Sequence, residues 1–532
     1  MAQRTMIMKR KEIKTMIQNP VLTGFHADPS MICVDGTFYV ANSTFEYFPG
    51  VRISASKDLA NWECVSTPLD RTDYLNMRGN VTSGGIWAPC LSYHDGTFYL
   101  VFTDVKTWKL HPFKDCHNYI TTAKDIRGPW TEPVYMNSLG FDPSLFHDDD
   151  GRKYFINMEW DYRQPDGKNF TGILITEVDP ITFEFIGETK KVFTGTDREL
   201  VEGPHIYKKD GYYYLLTAEG GTFYEHAATV CRSKDIFGPY ELHPNKHIMS
   251  AYGHPEHPLQ KTGHSSWCQG PDGRWFTAFL CGRPVDGTNC VLGRETGINE
   301  MVWENDWPYL KSKTLLVDEY FEGYGEKKEQ PKKIDYTFGD EEFSKTFNTL
   351  RGPVEHAFGP DNTLRIWGGD SPFSNMDQAL YARRQTDFNF QATTCVNFTF
   401  KHFQQFASLV YRYNLEQQYV LRMAYDERVD KNCLGIFKYD KGVFSNPLGD
   451  NEIQVDTDTI WLRVTVHGTT GKFSYSVDGE NFTEIDYEID TTILSDDYCY
   501  GFTGAFVGMA CTDMHDRTAY ADFKQFTYEV LD

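Results

Sequence analysis

The chain is short of positive charge, has no long apolar run and no paired-cysteine motif, and each shortage argues against a class of function. Its 52 Lys and Arg stand against 75 Asp and Glu, a formal net charge of −23. Such a surface neither neutralises phosphates nor adheres to anionic lipid, which argues against nucleic acid and membrane as partners. No stretch approaches the roughly 18 apolar residues of a spanning helix. The opening segment, MAQRTMIMKRKEIKTMIQNP, is basic but lacks the continuous apolar core of a secretion signal. Residues 1–19 read as a loosely docked leader. The twelve cysteines form no Cys-x-x-Cys pair, and Cys33, Cys90, Cys231 and Cys281 sit in strand-like contexts. They read as small buried hydrophobes of a reducing compartment, which places the protein in the cytoplasm.

Aromatic residues, by contrast, are plentiful at 15%, and the hydrophobic fraction of 40% is that of a folded chain. Some of the aromatics belong to a phrase that recurs five times: DGTFYV at Asp35, DGTFYL at Asp95, DGRKYF at Asp150, DGYYYL at Asp210 and DGRWFT at Asp272. Asp-Gly before alternating aromatic and β-branched residues predicts a tight hairpin entering a half-buried strand. A second landmark follows three of these hairpins: Ser56-Lys57-Asp58-Leu59, Ala123-Lys124-Asp125-Ile126 and Ser233-Lys234-Asp235-Ile236, with Glu177-Val178-Asp179-Pro180 in the same place of the third repeat. One supersecondary unit repeated in a closed all-β array is a propeller, here of five blades over residues 20–322. A polar stretch over 323–334 reads as a linker. Residues 335–532 carry strands without the repeat, such as TCVNFTFKHF and WLRVTVHGTTGKFSYSVDG, and predict a jelly-roll-like β-sandwich with very little helix.

The repeat also points to a site. Eight residues before each Asp-Gly, seven in the first repeat, stand Asp28, Trp87, Asp142, Glu202 and His264. Inner strands of a propeller run beside its axis, so equivalent positions at their starts converge on one mouth of the channel. Proline follows Asp28 and Asp142, predicting an extended backbone at each acid. Three converging carboxylates repel one another and resist desolvation, which calls for a bound cation or acid–base chemistry.

The three variants of one phrase, Ala27-Asp28-Pro29-Ser30, Phe141-Asp142-Pro143-Ser144 and Val201-Glu202-Gly203-Pro204-His205, together with Ser43-Thr44-Phe45-Glu46-Tyr47-Phe48-Pro49-Gly50-Val51, Gly85-Ile86-Trp87-Ala88-Pro89, Leu292-Gly293-Arg294-Glu295-Thr296 and Gly504-Ala505-Phe506-Val507-Gly508, resemble the β-xylosidases of glycoside hydrolase family 43 over nearly the whole chain. The resemblance implies a five-bladed propeller followed by a β-sandwich. It implies Asp28 as general base, Glu202 as general acid, and Asp142 as the residue that orients Glu202 and keeps its pKa high. It further implies Phe45 and Trp87 stacking on a pyranose, Thr222 on the pocket wall, and Arg294 on sugar hydroxyls or a carboxylate, with Arg283 as the second arginine candidate. His264 would face water or a calcium ion in the channel; the chemistry itself needs no cofactor. Phe506 would reach from the sandwich to close the pocket.

Two departures stand out: His26-Ala27 before Asp28, where the family more often has Asn-Pro, and Ser265-Ser266 after His264, where Gly-Asp is common. The implied activity is exo-hydrolysis of β-1,4-xylo-oligosaccharides to xylose with inversion. Three rivals remain: an α-L-arabinofuranosidase, a non-catalytic carbohydrate-binding propeller, and acids that only hold a structural cation. Self-association stays open.

Overall fold

The computed structural model describes residues 16–109 and 112–532. Residues 1–15, most of the expected leader, lie outside the described residues. Met16–Gln18 is a strand, paired antiparallel with Tyr320–Glu322. The Asn19 side chain donates to the carbonyls of Ile298 (2.7 Å) and Asp318 (2.9 Å) and accepts from the Ile298 N–H (2.9 Å). The last residues of the expected leader are therefore built into the fold and tie its beginning to the fifth blade.

Five four-stranded antiparallel sheets follow in chain order, each a meander from the axis outward. Their inner strands are Ser30–Val34, Gly85–His94, Ser144–His147, Glu202–Lys209 and Gln260–Gln269. The Asp-Gly phrases do form their first hairpins, in two ways. At Asp35-Gly36, Asp95-Gly96 and Asp210-Gly211 both residues take positive φ (49° and 74° in the first), the geometry of a two-residue type I′ turn. In the third and fifth repeats only Gly151 and Gly273 do so, and the connections run longer, from His147 to Lys153 and from Gln269 to Trp275.

Beyond the propeller, an eight-stranded and a nine-stranded sheet face each other around an apolar core that includes Phe390, Val464, Leu409 and Phe526. The α-helical segments among the described residues are Glu341–Thr346 and Asp496–Cys499. The expected linker is not uniformly loose. Tyr324 stacks on Phe38 (5.7 Å between centroids) and donates to Asp272, while Lys333–Asp335 pairs with the final strand.

Propeller and sandwich share structure. Tyr47–Phe48, from the first blade's loop, adds to the edge of the nine-stranded sheet by pairing with Phe347–Leu350. One core cluster runs from Phe25, Trp87 and Phe141 at the channel mouth to Leu380, Val410 and Phe506 in the sandwich. Fully burying each such side chain stabilises by roughly 1.5–3 kcal/mol, so this junction is part of the core rather than a hinge.

Candidate active site

The start of each inner strand carries an unusual backbone. Asp28, Asp142 and His264 have φ of 51°, 54° and 37°, and in the other two blades Ala88 (36°) and Gly203 (57°) occupy that region. The prolines after Asp28 and Asp142 do not hold these acids extended, as the sequence predicts. The left-handed turn costs on the order of 1–3 kcal/mol at each non-glycine residue. Register shifts accompany it between Trp87 and Cys90, Glu202 and His205, and Gln260 and Ser266. Such bulges re-aim side chains at the ends of sheets.

The result is a narrow cavity at the axis, lined by Asp28, Phe45, Trp87, Phe141, Asp142, Glu202, Thr222, His264, Arg294 and Phe502. Asp28, Asp142 and Glu202 are 5%, 6% and 7% exposed, so their environments set their charge. Burial alone would raise Asp28, but Arg294, His264 and Ser43 outweigh it and hold its carboxyl below the usual carboxylate range. The Ser43 hydroxyl donates to Oδ2 at 2.6 Å, Arg294 Nη1 to Oδ1 at 3.2 Å, and His264 Nδ1 lies 3.6 Å from Oδ1. Glu202 has no such set of donors. Burial, then the negative charge of Asp28, pushes it up to about 7, against the opposing pull of Arg294 and Lys114.

Asp142 stands well above the usual range through burial, then through Glu202 and Asp28. Its Oδ2 accepts the Gly203 N–H at 3.0 Å, which grips the backbone immediately after Glu202. The raised pKa of Glu202 thus comes chiefly from burial and Asp28, while Asp142 titrates together with it and braces its main chain.

Aromatic rings form the walls. Trp87 packs edge-on against Phe141 (5.4 Å) and Phe502 (5.3 Å), and Phe45 lies 6.0 Å from Trp87. The Trp87 indole N–H is spent on the Ser83 carbonyl at 2.8 Å. Phe502, from the sandwich, closes the cavity: Arg294 donates to its carbonyl at 2.8 Å, and its ring lies 4.7 Å from that of Trp108.

Eight of the ten expected residues therefore meet in one cavity, and two do not. Arg283 donates to both oxygens of Glu295, at 2.6 and 2.8 Å, outside the cavity. Phe506 is fully buried and stacks on Tyr47 at 3.8 Å, where it anchors the added edge strand instead of reaching the pocket. The sandwich residue that lines the cavity is Phe502, four positions earlier and just outside the Gly504–Gly508 motif, in the loop before the strand that Phe506 begins. Phe141 was also missed, although its place beside Asp142 in the repeated phrase marks it. Ser43 opens the motif that contains Phe45 but was given no role there, and Lys114 carried no sequence signal. Lys114 packs over the Trp160 ring at 4.3 Å, and burial holds its amine below the usual lysine range.

His264 borders the cavity as expected, its Nε2 so close to Gly203 that a Cβ there would stand 3.0 Å away. Burial above all holds its imidazole below the ordinary value, and burial holds those of His205 and His226, which both feel His264, near 3. Calcium takes roughly six to eight oxygen ligands. The Asp28 carboxylate and these imidazoles do not make such a shell.

Comparison with known proteins agrees with this geometry. Residues 17–308 match the family described as "Glycosyl hydrolases family 43", and residues 335–529 match "Beta xylosidase C-terminal Concanavalin A-like domain". The chain is 44% identical to "Beta-xylosidase" of Bacillus subtilis (strain 168), over 96% of this chain and 99% of that one. It is 44% identical to "Xylosidase/arabinosidase 43B" of Humicola insolens, over 96% and 97%. Among solved structures, that of xylan beta-1,4-xylosidase from Bacillus halodurans C-125 superposes with a TM-score of 0.92 at 43% identity, covering 96% of this chain and all of the other. With a five-bladed propeller whose axial acids share one buried pocket and relatives that match from end to end, this chain belongs to glycoside hydrolase family 43.

Proposed function

We propose that this protein is an exo-acting β-1,4-xylosidase that releases xylose from the ends of xylo-oligosaccharides with inversion of configuration. The observation that carries the proposal is the opposite bias of two buried carboxyls in one pocket, Asp28 held below its usual range and Glu202 raised to about 7. At neutral pH the first is ionised and takes a proton from water as that water attacks the anomeric carbon. The second retains its proton and gives it to the leaving glycosidic oxygen. An inverting pair needs about 6.5–9.5 Å between the carboxyls to admit the water, a gap that positions across a propeller axis can provide. Asp142 positions Glu202 through the Gly203 N–H, and Trp87, Phe45 and Phe141 offer the apolar faces on which a pyranose stacks.

Exo action is supported by the roof. Phe502 and its Arg294-held carbonyl cover the cavity, and the three acids are almost wholly buried. The pocket therefore suits the terminal sugar of a chain. A second reading, hydrolysis of terminal α-L-arabinofuranosides, is favoured by the dual name of the Humicola relative. The unpaired state of all twelve cysteines, eleven of them buried, supports a reducing cytoplasmic setting. No helix among the described residues is long and apolar enough to cross a membrane.

Time-resolved proton NMR of xylobiose hydrolysis tests the proposal, with an aryl arabinofuranoside beside it. Besides the α/β mixture released from the reducing end, an early excess of α-xylose from the non-reducing end is expected. An early excess of β-xylose over that mixture would refute inversion, and turnover of the arabinoside alone would move the assignment to the second reading.

A further inference from the structure

We propose that Lys261 is a positioning residue that latches the sandwich lid onto the propeller and so sets Phe502 over the pocket. Lys261 lies on the inner strand of the fifth blade, three residues before His264, with a side chain 0% exposed and a φ of 57°. A lysine buried to that degree has to be paired. Its Nζ lies 3.1 Å from Asp496 Oδ2 and 2.7 Å from Asp497 Oδ1, both in the short helix Asp496–Cys499 of the sandwich. Asp497 Oδ2 accepts the Cys290 N–H at 2.8 Å, and the capping Ser495 hydroxyl donates to Asn289 Oδ1 at 3.0 Å. Three residues after that helix comes Phe502.

The latch reaches both sides of the pocket mouth. On the propeller side, Lys261 Nζ lies 5.1 Å from the Tyr224 ring and 5.6 Å from the Phe223 ring, in the loop whose Thr222 lines the cavity. On the sandwich side, residues 495–505 are pinned at one end by Lys261 and at the other by Arg294, through the Phe502 carbonyl, and by Ala505 N–H to the Val291 carbonyl at 3.0 Å. Phe502 N–H also donates to Ser83 Oγ at 3.2 Å and Thr503 N–H to the Tyr413 hydroxyl at 3.1 Å, so the Phe502 end is held at several points while Lys261 carries the charge pairing at the helix end. There Lys261 acts beside the Cys290 and Asn289 contacts, and among the described residues it alone is ion-paired with the carboxylates of Asp496 and Asp497. Cys290, Asp496 and Asp497 also stand close enough together to grip a metal ion, but the cation in their midst is the lysine's own. The charge pairing is short-range and buried, so breaking it leaves uncompensated carboxylates and frees the segment.

The inference rests on the proposed function only for the choice of sugar, so its test has two arms. Hydrogen exchange of Lys261→Met is expected to quicken in residues 495–505 and leave the sandwich core protected. On xylobiose, the same variant is expected to raise KM about tenfold with kcat changed less than about twofold, the size of a displaced binding contact. Lys261→Arg should restore part of the loss. Because the effect runs through the lid, Lys261→Met added to Phe502→Ala should raise KM no further than Phe502→Ala alone. Asp497→Asn, at a less buried position, gives the same two readouts with a smaller change and decides the matter if Lys261→Met does not fold. Unchanged exchange in 495–505, or additive effects on KM, would overturn the latch. Absence of xylobiose turnover by the unaltered protein would overturn the proposed substrate, while the exchange arm would still decide the latch.

Discussion

In the propeller, five equivalent strands meet at an axis, and every acid of the pocket comes from their starts. In the sandwich, two broad sheets face each other with no shared axis, and a single side chain, Phe502, reaches the pocket from a loop. Closed repetition concentrates equivalent positions at one point and so favours chemistry that needs several groups together. A sandwich spreads its residues over two faces and contributes by its edges and loops: the sheet that takes Tyr47–Phe48 as an extra strand, and the segment that roofs the cavity. The expected division is that the propeller governs the chemical step and the sandwich governs binding.

The largest break with that division would come from the general acid. Glu202→Gln is expected to lower kcat on xylobiose about 10²–10⁴-fold, with a much smaller loss on an aryl xyloside whose leaving group needs no proton. Equal losses on both substrates would remove Glu202 from the acid role. Phe502→Ala is expected to raise KM about tenfold and alter kcat far less; a fall in kcat with KM unchanged would put the sandwich into the chemical step.

The pH profile sharpens the same contrast. Glu202 loses its proton near pH 7, so kcat/KM should fall above about that pH, while Asp28, held below its usual range, keeps the acid limb low. Stability carries the corresponding sign. A carboxyl whose pKa is raised on folding contributes its stability below the unfolded value, and that contribution is lost as the pH rises through the folded value. Glu202→Gln should therefore raise Tm at pH 8 and change it little at pH 4, as scanning calorimetry would show. A lower Tm at pH 8 would mean that the acid is stabilised in its charged form.

Smallest in its effect on activity is Arg283→Ala, which should leave KM within about twofold because the guanidinium lies outside the cavity. It should still lower Tm, since Glu295, fully buried, loses its bidentate partner. A large rise in KM would bring Arg283 back to the sugar.

Much of this was legible along the chain. The five Asp-Gly phrases predicted five hairpins because glycine, and in three of them also the aspartate, tolerates the positive φ that the turn requires. The constant offset from those turns to Asp28, Trp87, Asp142, Glu202 and His264 was legible for the same reason: a repeat carries each copy to the same radius of the array. The left-handed backbone at Asp28 and Asp142 was not, because local preference before proline favours extended geometry and the bulge of the inner strand overrides it.

The sandwich side of the pocket was harder to read. Phe502 and Phe506 lie four residues apart, and nothing local separates the ring that lines the cavity from the ring that stacks on Tyr47. Arg283 and Arg294 are likewise both arginines at strand ends, yet one is claimed by Glu295 and the other by Asp28 and the Phe502 carbonyl. The repeat, the blade count and the convergence of the acids can be read along the chain, since they follow from local turns and their spacing. Which aromatic of the sandwich lines the pocket, which arginine enters it and which acid keeps its proton emerge only on folding. Those outcomes depend on burial and on charges brought together from distant parts of the chain, where distance in space rather than in sequence sets the energy.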